Sequence, residues 1–157
     1  MEIDTFAGLP AHPLLVHIPI VLIPILGLAT IALAVNKDWR ERYSVAAAVV
    51  GVGTMILTIL AAGAGEKLEE RVGKDALIRE HADLGEQTRL LMIIFAVVLV
   101  AMAVSVKRGS AKVAAWLSIA ALVVGGLSTA WVVRTGHAGA KSVWQGTTQG
   151  NVQSGDD

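Results

Sequence analysis

The chain has 157 residues, of which 54% are hydrophobic and 17% charged, and its mean hydropathy is +0.63, too apolar for an ordinary water-facing surface. Its 13 Lys and Arg cancel its 13 Asp and Glu, so no net charge draws it to nucleic acid. The absence of cysteine excludes disulfides, thiolate zinc sites, iron–sulfur clusters and covalent Cys-x-x-Cys-His haem attachment, and leaves His and carboxylates for any metal chemistry.

Residues 1–10 carry Glu2 and Asp4 where a secretory leader would carry basic residues, so no cleavable signal is expected. Four nearly charge-free stretches follow, Leu14–Val35, Ser44–Gly65, Leu90–Val106 and Val113–Val133. About 20 apolar residues at 1.5 Å each cross a hydrocarbon core of roughly 30 Å, and each stretch is long enough or nearly so. Helices buried in a soluble bundle would keep a polar face, which these lack. Between the second and third stretches, Leu77, His81, Leu84, Thr88 and Leu91 recur at helical spacing, with Gly73 as a break and Asp75 as a cap for the following helix. The fold class predicted is all-α: an integral membrane four-helix bundle over residues 1–144, with spans two and three extended into an αα-hairpin outside the membrane. A mobile polar tail is expected over 145–157.

Four spans put both termini and the 66–89 connection on one side. The opposite side receives only two short loops, which hold Lys37, Arg40, Arg42, Lys107, Arg108 and Lys112 against Asp38 and Glu41. Orientation follows Lys and Arg in short loops, so that side is expected to be cytoplasmic and both termini extracytoplasmic.

All four histidines, His12, His17, His81 and His137, fall on or near the side of the termini. His17 is the one ionisable side chain within the spans, and intramembrane ionisable groups tend to face the bundle interior and mark function. Pro19 and Pro24 free the carbonyls of Leu15 and Ile20, so the first span should kink. His81 lies in line with Leu77, Leu84 and Leu91 and should point toward the bundle axis. His137 follows span four in a Gly-rich turn, Gly136-His-Ala-Gly139. Arg89 and Arg134 stand at span ends, suited either to anionic groups such as haem propionates or to interfacial anchoring. Small residues four apart, Ala47 with Gly51, Ala121 with Gly125 and Gly126 with Ala130, allow close helix packing. Counting rises from the span ends places the histidines at different depths, which strains a single four-His site and favours two sites or one pair bridging a large planar ligand.

The run His12-Pro-Leu-Leu-Val-His17-Ile-Pro19 resembles the opening of a bacterial four-span membrane family known as domain of unknown function 2231, whose members read His-Pro-x-x-Val-His-Phe-Pro; Ile18 replaces the usual Phe. His81 before the third span and Gly136-His137-x-Gly139 after the fourth extend the resemblance over roughly Pro10 to Trp144. It implies a multi-pass protein of the bacterial inner membrane in a redox setting, with a Rieske or cytochrome c module as partner. No activity is carried over with it.

The leading expectation is therefore electron transfer through haem b, one or two per chain, ligated by histidine pairs near the outer face, with His17, His81 and His137 preferred and His12 as the fourth ligand. The rivals are copper or zinc binding or transport through the same histidines, for which four short spans would need a homo-oligomer, and a non-catalytic anchor subunit of a redox complex. Hydrolytic chemistry has no supporting residue spacing.

Overall fold

The computed structural model describes residues 5–6, 9–72 and 75–150. A two-residue antiparallel ladder, β1 (Thr5–Phe6) and β2 (Leu9–Pro10), leads into α1 (Ala11–Leu15), α2 (His17–Val35), α3 (Lys37–Val72), α4 (Ala76–Lys107) and α5 (Ala111–Gly150). The division between α1 and α2 falls at Val16, which itself stays in the right-handed helical region. Pro19 explains the position: it has no N–H for the Leu15 carbonyl, so the ladder lapses one turn before it. Pro24, by contrast, is absorbed inside α2.

The helices pack in a ring, with α2 beside α3, α3 beside α4, α4 beside α5 and α5 beside α2. The core runs along the axis from Ile23, Leu26 and Leu33 of α2 to Met92, Phe95, Leu99 and Met102 of α4, closed by Ala48, Ala121 and Val132. Close approach depends on glycine where α2 crosses α5. A β-carbon on Gly27 would lie 2.7 Å from Thr129 Oγ1, and one on Gly125 would lie 2.9 Å from Phe95 Cζ and 3.2 Å from Gly27 Cα. Several polar groups inside the bundle are short hydroxyls bonded one turn back in their own helix, such as Thr54 to the Val50 carbonyl and Ser128 to the Val124 carbonyl, both at 2.8 Å, whereas among the described residues the buried Ser44 Oγ has no hydrogen-bond partner.

Only about a third of each apolar window is covered by protein: 33% in the first three long helices and 28% in α5 up to Trp144. Much of the rest is outward Leu, Ile, Val and Trp, including Leu28, Val49, Val97 and Trp116. A surface of that composition needs hydrocarbon around it, and the protein is a membrane protein with four helices long and apolar enough to cross a bilayer.

The ends of the helices follow local chemistry. Gly73 lies outside the described residues, but Asp75 caps α4 as expected, its carboxylate accepting from the backbone N–H groups of Leu77 and Ile78 at 2.8 Å each. Gly109 turns the chain between α4 and α5 at φ +72°, a left-handed conformation that a side chain would disfavour. Arg40 is buried and donates through Nη1 to the carbonyls of Leu33 and Ala34 and to Ser118 Oγ, which satisfies the last turn of α2.

One expectation is overturned here. The Gly136-His-Ala-Gly139 segment is not a turn: it lies inside α5, which continues to Gly150. Ala138 is buried and Gly139 packs against a side chain of α4, so tertiary contact offsets the low helix propensity of the glycines. Residues 145–150 of the expected tail are the last part of this helix, and 151–157 lie outside the described residues.

Candidate functional site

At the end of the bundle that holds the α3–α4 connection, α1, the start of α2, α3, α4 and α5 surround a cavity of about 590 Å³. Its wall is mostly apolar, with Pro19, Ile20 and Val132 among the lining residues, and Glu66 and Glu86, both exposed, mark its aqueous end. Two half-buried imidazoles share it, His12 from α1 and His81 from α4. Their ring centroids are 6.0 Å apart and their planes cross at 77°.

Each ring is tethered in the same manner. His12 Nδ1 lies 2.8 Å from the Ala61 carbonyl oxygen of α3, and His81 Nδ1 lies 2.9 Å from the Thr135 carbonyl oxygen of α5. A carbonyl oxygen only accepts, so Nδ1 carries the proton in both rings, and in the neutral form the lone pair is left on Nε2. Below His81, the hydroxyls of Thr88 and Thr135 meet at 2.9 Å and join α4 to α5.

The other two histidines stand apart from this pair. His17 is exposed and does not line the cavity. It follows His12 by five residues, a rotation of about 140° on a helix, so when His12 faces inward His17 faces out. His137 is exposed for a similar reason: Thr135 and Gly139 face the cavity one turn apart, and position 137 lies on the opposite side of α5. Of the four predicted histidines, the structure brings His12 and His81 together and places His17 and His137 apart from them. Depths counted from the ends of the apolar runs assigned no pairs, and the pairing of His12 with His81 comes from the structure.

Neither arginine lines the cavity. Arg89 is held by Glu66 at 3.3 Å and Glu86 at 2.6 Å, and the Arg134 guanidinium lies 5.2 Å above the Trp131 ring, whose Nε1–H donates to Gln87. Among the described residues no group of three or more His, Asp or Glu side chains is placed to hold a metal ion. The two carbonyls, and the part that Gly65 and Gly139 play beside them, escaped the sequence reading. Their signal was a small residue followed four positions later by glycine, Ala61 with Gly65 and Thr135 with Gly139.

A ring of four lipid-facing helices around a paired-histidine cavity defines an all-α integral membrane protein with that cavity at one mouth. Within that class, the chain belongs to the family described as predicted membrane protein, DUF2231, whose sequence profile matches residues 8–150. No curated protein and no solved structure matches it.

Proposed function

We propose that the protein binds a single haem b through His12 and His81 and passes electrons near the outer face of the bacterial inner membrane. The observation that carries this reading is the pair of tethered imidazoles 6.0 Å apart in an apolar cavity of about 590 Å³. With metal–imidazole bonds of about 2.0 Å, two rings on opposite sides of one metal have centres roughly 6 Å apart, whereas a tetrahedral pair stands nearer, at roughly 5 Å.

The donor set fits this cofactor better than a bare ion. A closed zinc site needs four ligands and an open one three, while a porphyrin supplies four nitrogens of its own and asks the protein for two. The volume lies within the ordinary range for a cofactor pocket and exceeds what an ion requires. His12 and His81 would hold the iron, and the apolar wall would exclude water from it. A haem held by His12 and His81 would supply one-electron transfer. A Rieske or cytochrome c module remains the class of partner proposed.

The orientation proposed keeps the loops with Lys37, Arg40, Arg42, Lys107, Arg108 and Lys112 in the cytoplasm and both termini outside. On that reading the distal ends of α3 and α4, to Val72 and from Ala76, stand outside the membrane as a helical hairpin.

The test is the absorption spectrum of protein purified in detergent, together with elemental analysis. A Soret band with split α and β bands on reduction is expected. A preparation that stays colourless after haem addition, or that holds stoichiometric copper or zinc without porphyrin, contradicts the proposal.

A further inference from the structure

The two tethers are the same device used twice. In an α-helix the N–H of residue i+4 points at the carbonyl of residue i, and the side chain of residue i+4 leans back over that carbonyl. Ala61 and Gly65 stand in this relation in α3, and Thr135 and Gly139 stand in it in α5. At both places the i+4 residue is glycine, so the carbonyl is uncovered and an imidazole reaches it across the bare backbone. A β-carbon on Gly65 would fall 2.9 Å from both Cε1 and Nδ1 of His12, and one on Gly139 would fall 2.9 Å from Cε1 and 3.1 Å from Nδ1 of His81. Both contacts are too short to persist, and the atoms struck belong to stiff rings that are already hydrogen-bonded.

The repetition extends to the halves of the chain. In the first, a helix carrying the histidine (α1 with α2) is followed by the returning helix that seats it (α3). In the second, α4 carries the histidine and α5 seats it. The site therefore lies where two equivalent helical hairpins meet, and each contributes one ring and one seat.

We infer that Gly65 and Gly139 are the positioning residues of the site: each opens a helix carbonyl that fixes the neighbouring imidazole as the Nδ1–H tautomer and so makes Nε2 its ligand atom. The two seats are equivalent, and the group they serve is one that accepts two like nitrogen donors. This rests on the haem reading for the identity of that group but not for the state of the rings. Hydrogen-bond partners of metal-bound imidazoles set both ring orientation and donor strength, and their loss typically lowers affinity 10- to 100-fold.

The experiment uses the full-length chain labelled with ¹⁵N-histidine, first without haem. Long-range ¹H–¹⁵N spectra should show protonated Nδ1 and unprotonated Nε2 for two histidines, assigned by His12→Gln and His81→Gln. Gly65→Ala should abolish this signature for His12 and Gly139→Ala for His81. Gly63→Ala and Gly126→Ala should preserve both, since a β-carbon at either position meets nothing within 4 Å. In haem titrations each seat variant should bind about 10- to 100-fold more weakly and by similar factors. An Nε2–H tautomer at either ring of the unaltered protein overturns the inference without any seat variant having to fold. Seat variants that keep the wild-type tautomers overturn it as well. If the tautomers are as expected but no haem binds, the seats stand and the haem reading falls.

Discussion

Arg40 offers the sharpest test of how the loop end of the bundle is held. It is about 8% exposed, and its Nη1 donates to the Leu33 carbonyl at 2.9 Å, with longer contacts to the Ala34 carbonyl at 3.3 Å and Ser118 Oγ at 3.4 Å. These carbonyls belong to the last turn of α2, where no further helical N–H groups follow, and the cation also faces the negative end of the helix dipole. Replacing Arg40 by Met keeps an apolar stem but removes every donor. One buried carbonyl left without a partner costs about 1–3 kcal/mol, and the lost interaction with the helix end adds roughly 0.3–1 kcal/mol. Arg40→Met should therefore destabilise the bundle by about 1–4 kcal/mol, and Arg40→Lys, which keeps charge but not the fork of donors, should fall between it and wild type. Arg42→Ala is the control: Arg42 is exposed, 5.5 Å over the Tyr43 ring, and its loss should stay within about 0.5 kcal/mol. Equilibrium unfolding by SDS in mixed micelles, followed by circular dichroism, measures all three. An Arg40→Met variant as stable as Arg42→Ala would refute the reasoning.

Further outcomes follow from the same geometry. The Thr88 and Thr135 hydroxyls share a 2.9 Å contact, yet each also has a carbonyl of its own helix within 2.9 Å. A double-mutant cycle with Thr88→Val and Thr135→Val should return a coupling of about 0.6 kcal/mol and below ~1.7 kcal/mol, and a vanishing coupling would deny the bond. Haem affinity should fall on acidification, because a proton on Nε2 blocks ligation, and the slope against pH should approach two protons; a single-proton slope in an absorbance titration would argue for one ligating imidazole. Single cysteines at Glu70 and Ser110, both exposed, should be labelled from opposite sides, with an impermeant maleimide reaching Glu70→Cys on intact cells and Ser110→Cys only after permeabilisation. The reverse pattern would invert the proposed orientation.

The helical frame was legible because it depends on composition and period. Charge-free runs long enough for a bilayer announced the four helices, and the spacing of Leu77, His81, Leu84, Thr88 and Leu91 correctly placed one face of α4 inward. Asp75 could be read as a cap because the carboxylate acts on its immediate neighbours. The partner of His81 could not be found in the same way. Of the histidines, His17 looked strongest because it alone lay within a span, but it sits close to the span end, where outward exposure demands little burial of polarity. Its angle relative to His12 was the more informative quantity, since five residues on a helix cannot share a face. The seats were hidden for a different reason. They consist of backbone carbonyls that no side chain marks, and the glycines that expose them resemble ordinary helix-packing residues such as Gly27 and Gly125.

The paired-imidazole claim is tested most directly by titrating haem into the wild-type protein and its four single His→Ala variants while recording the Soret band. On the proposed reading the result is one haem per chain, uptake lost in His12→Ala and His81→Ala, and uptake retained in His17→Ala and His137→Ala. Retained binding in either of the first two variants, or loss of binding in either of the last two, would contradict it.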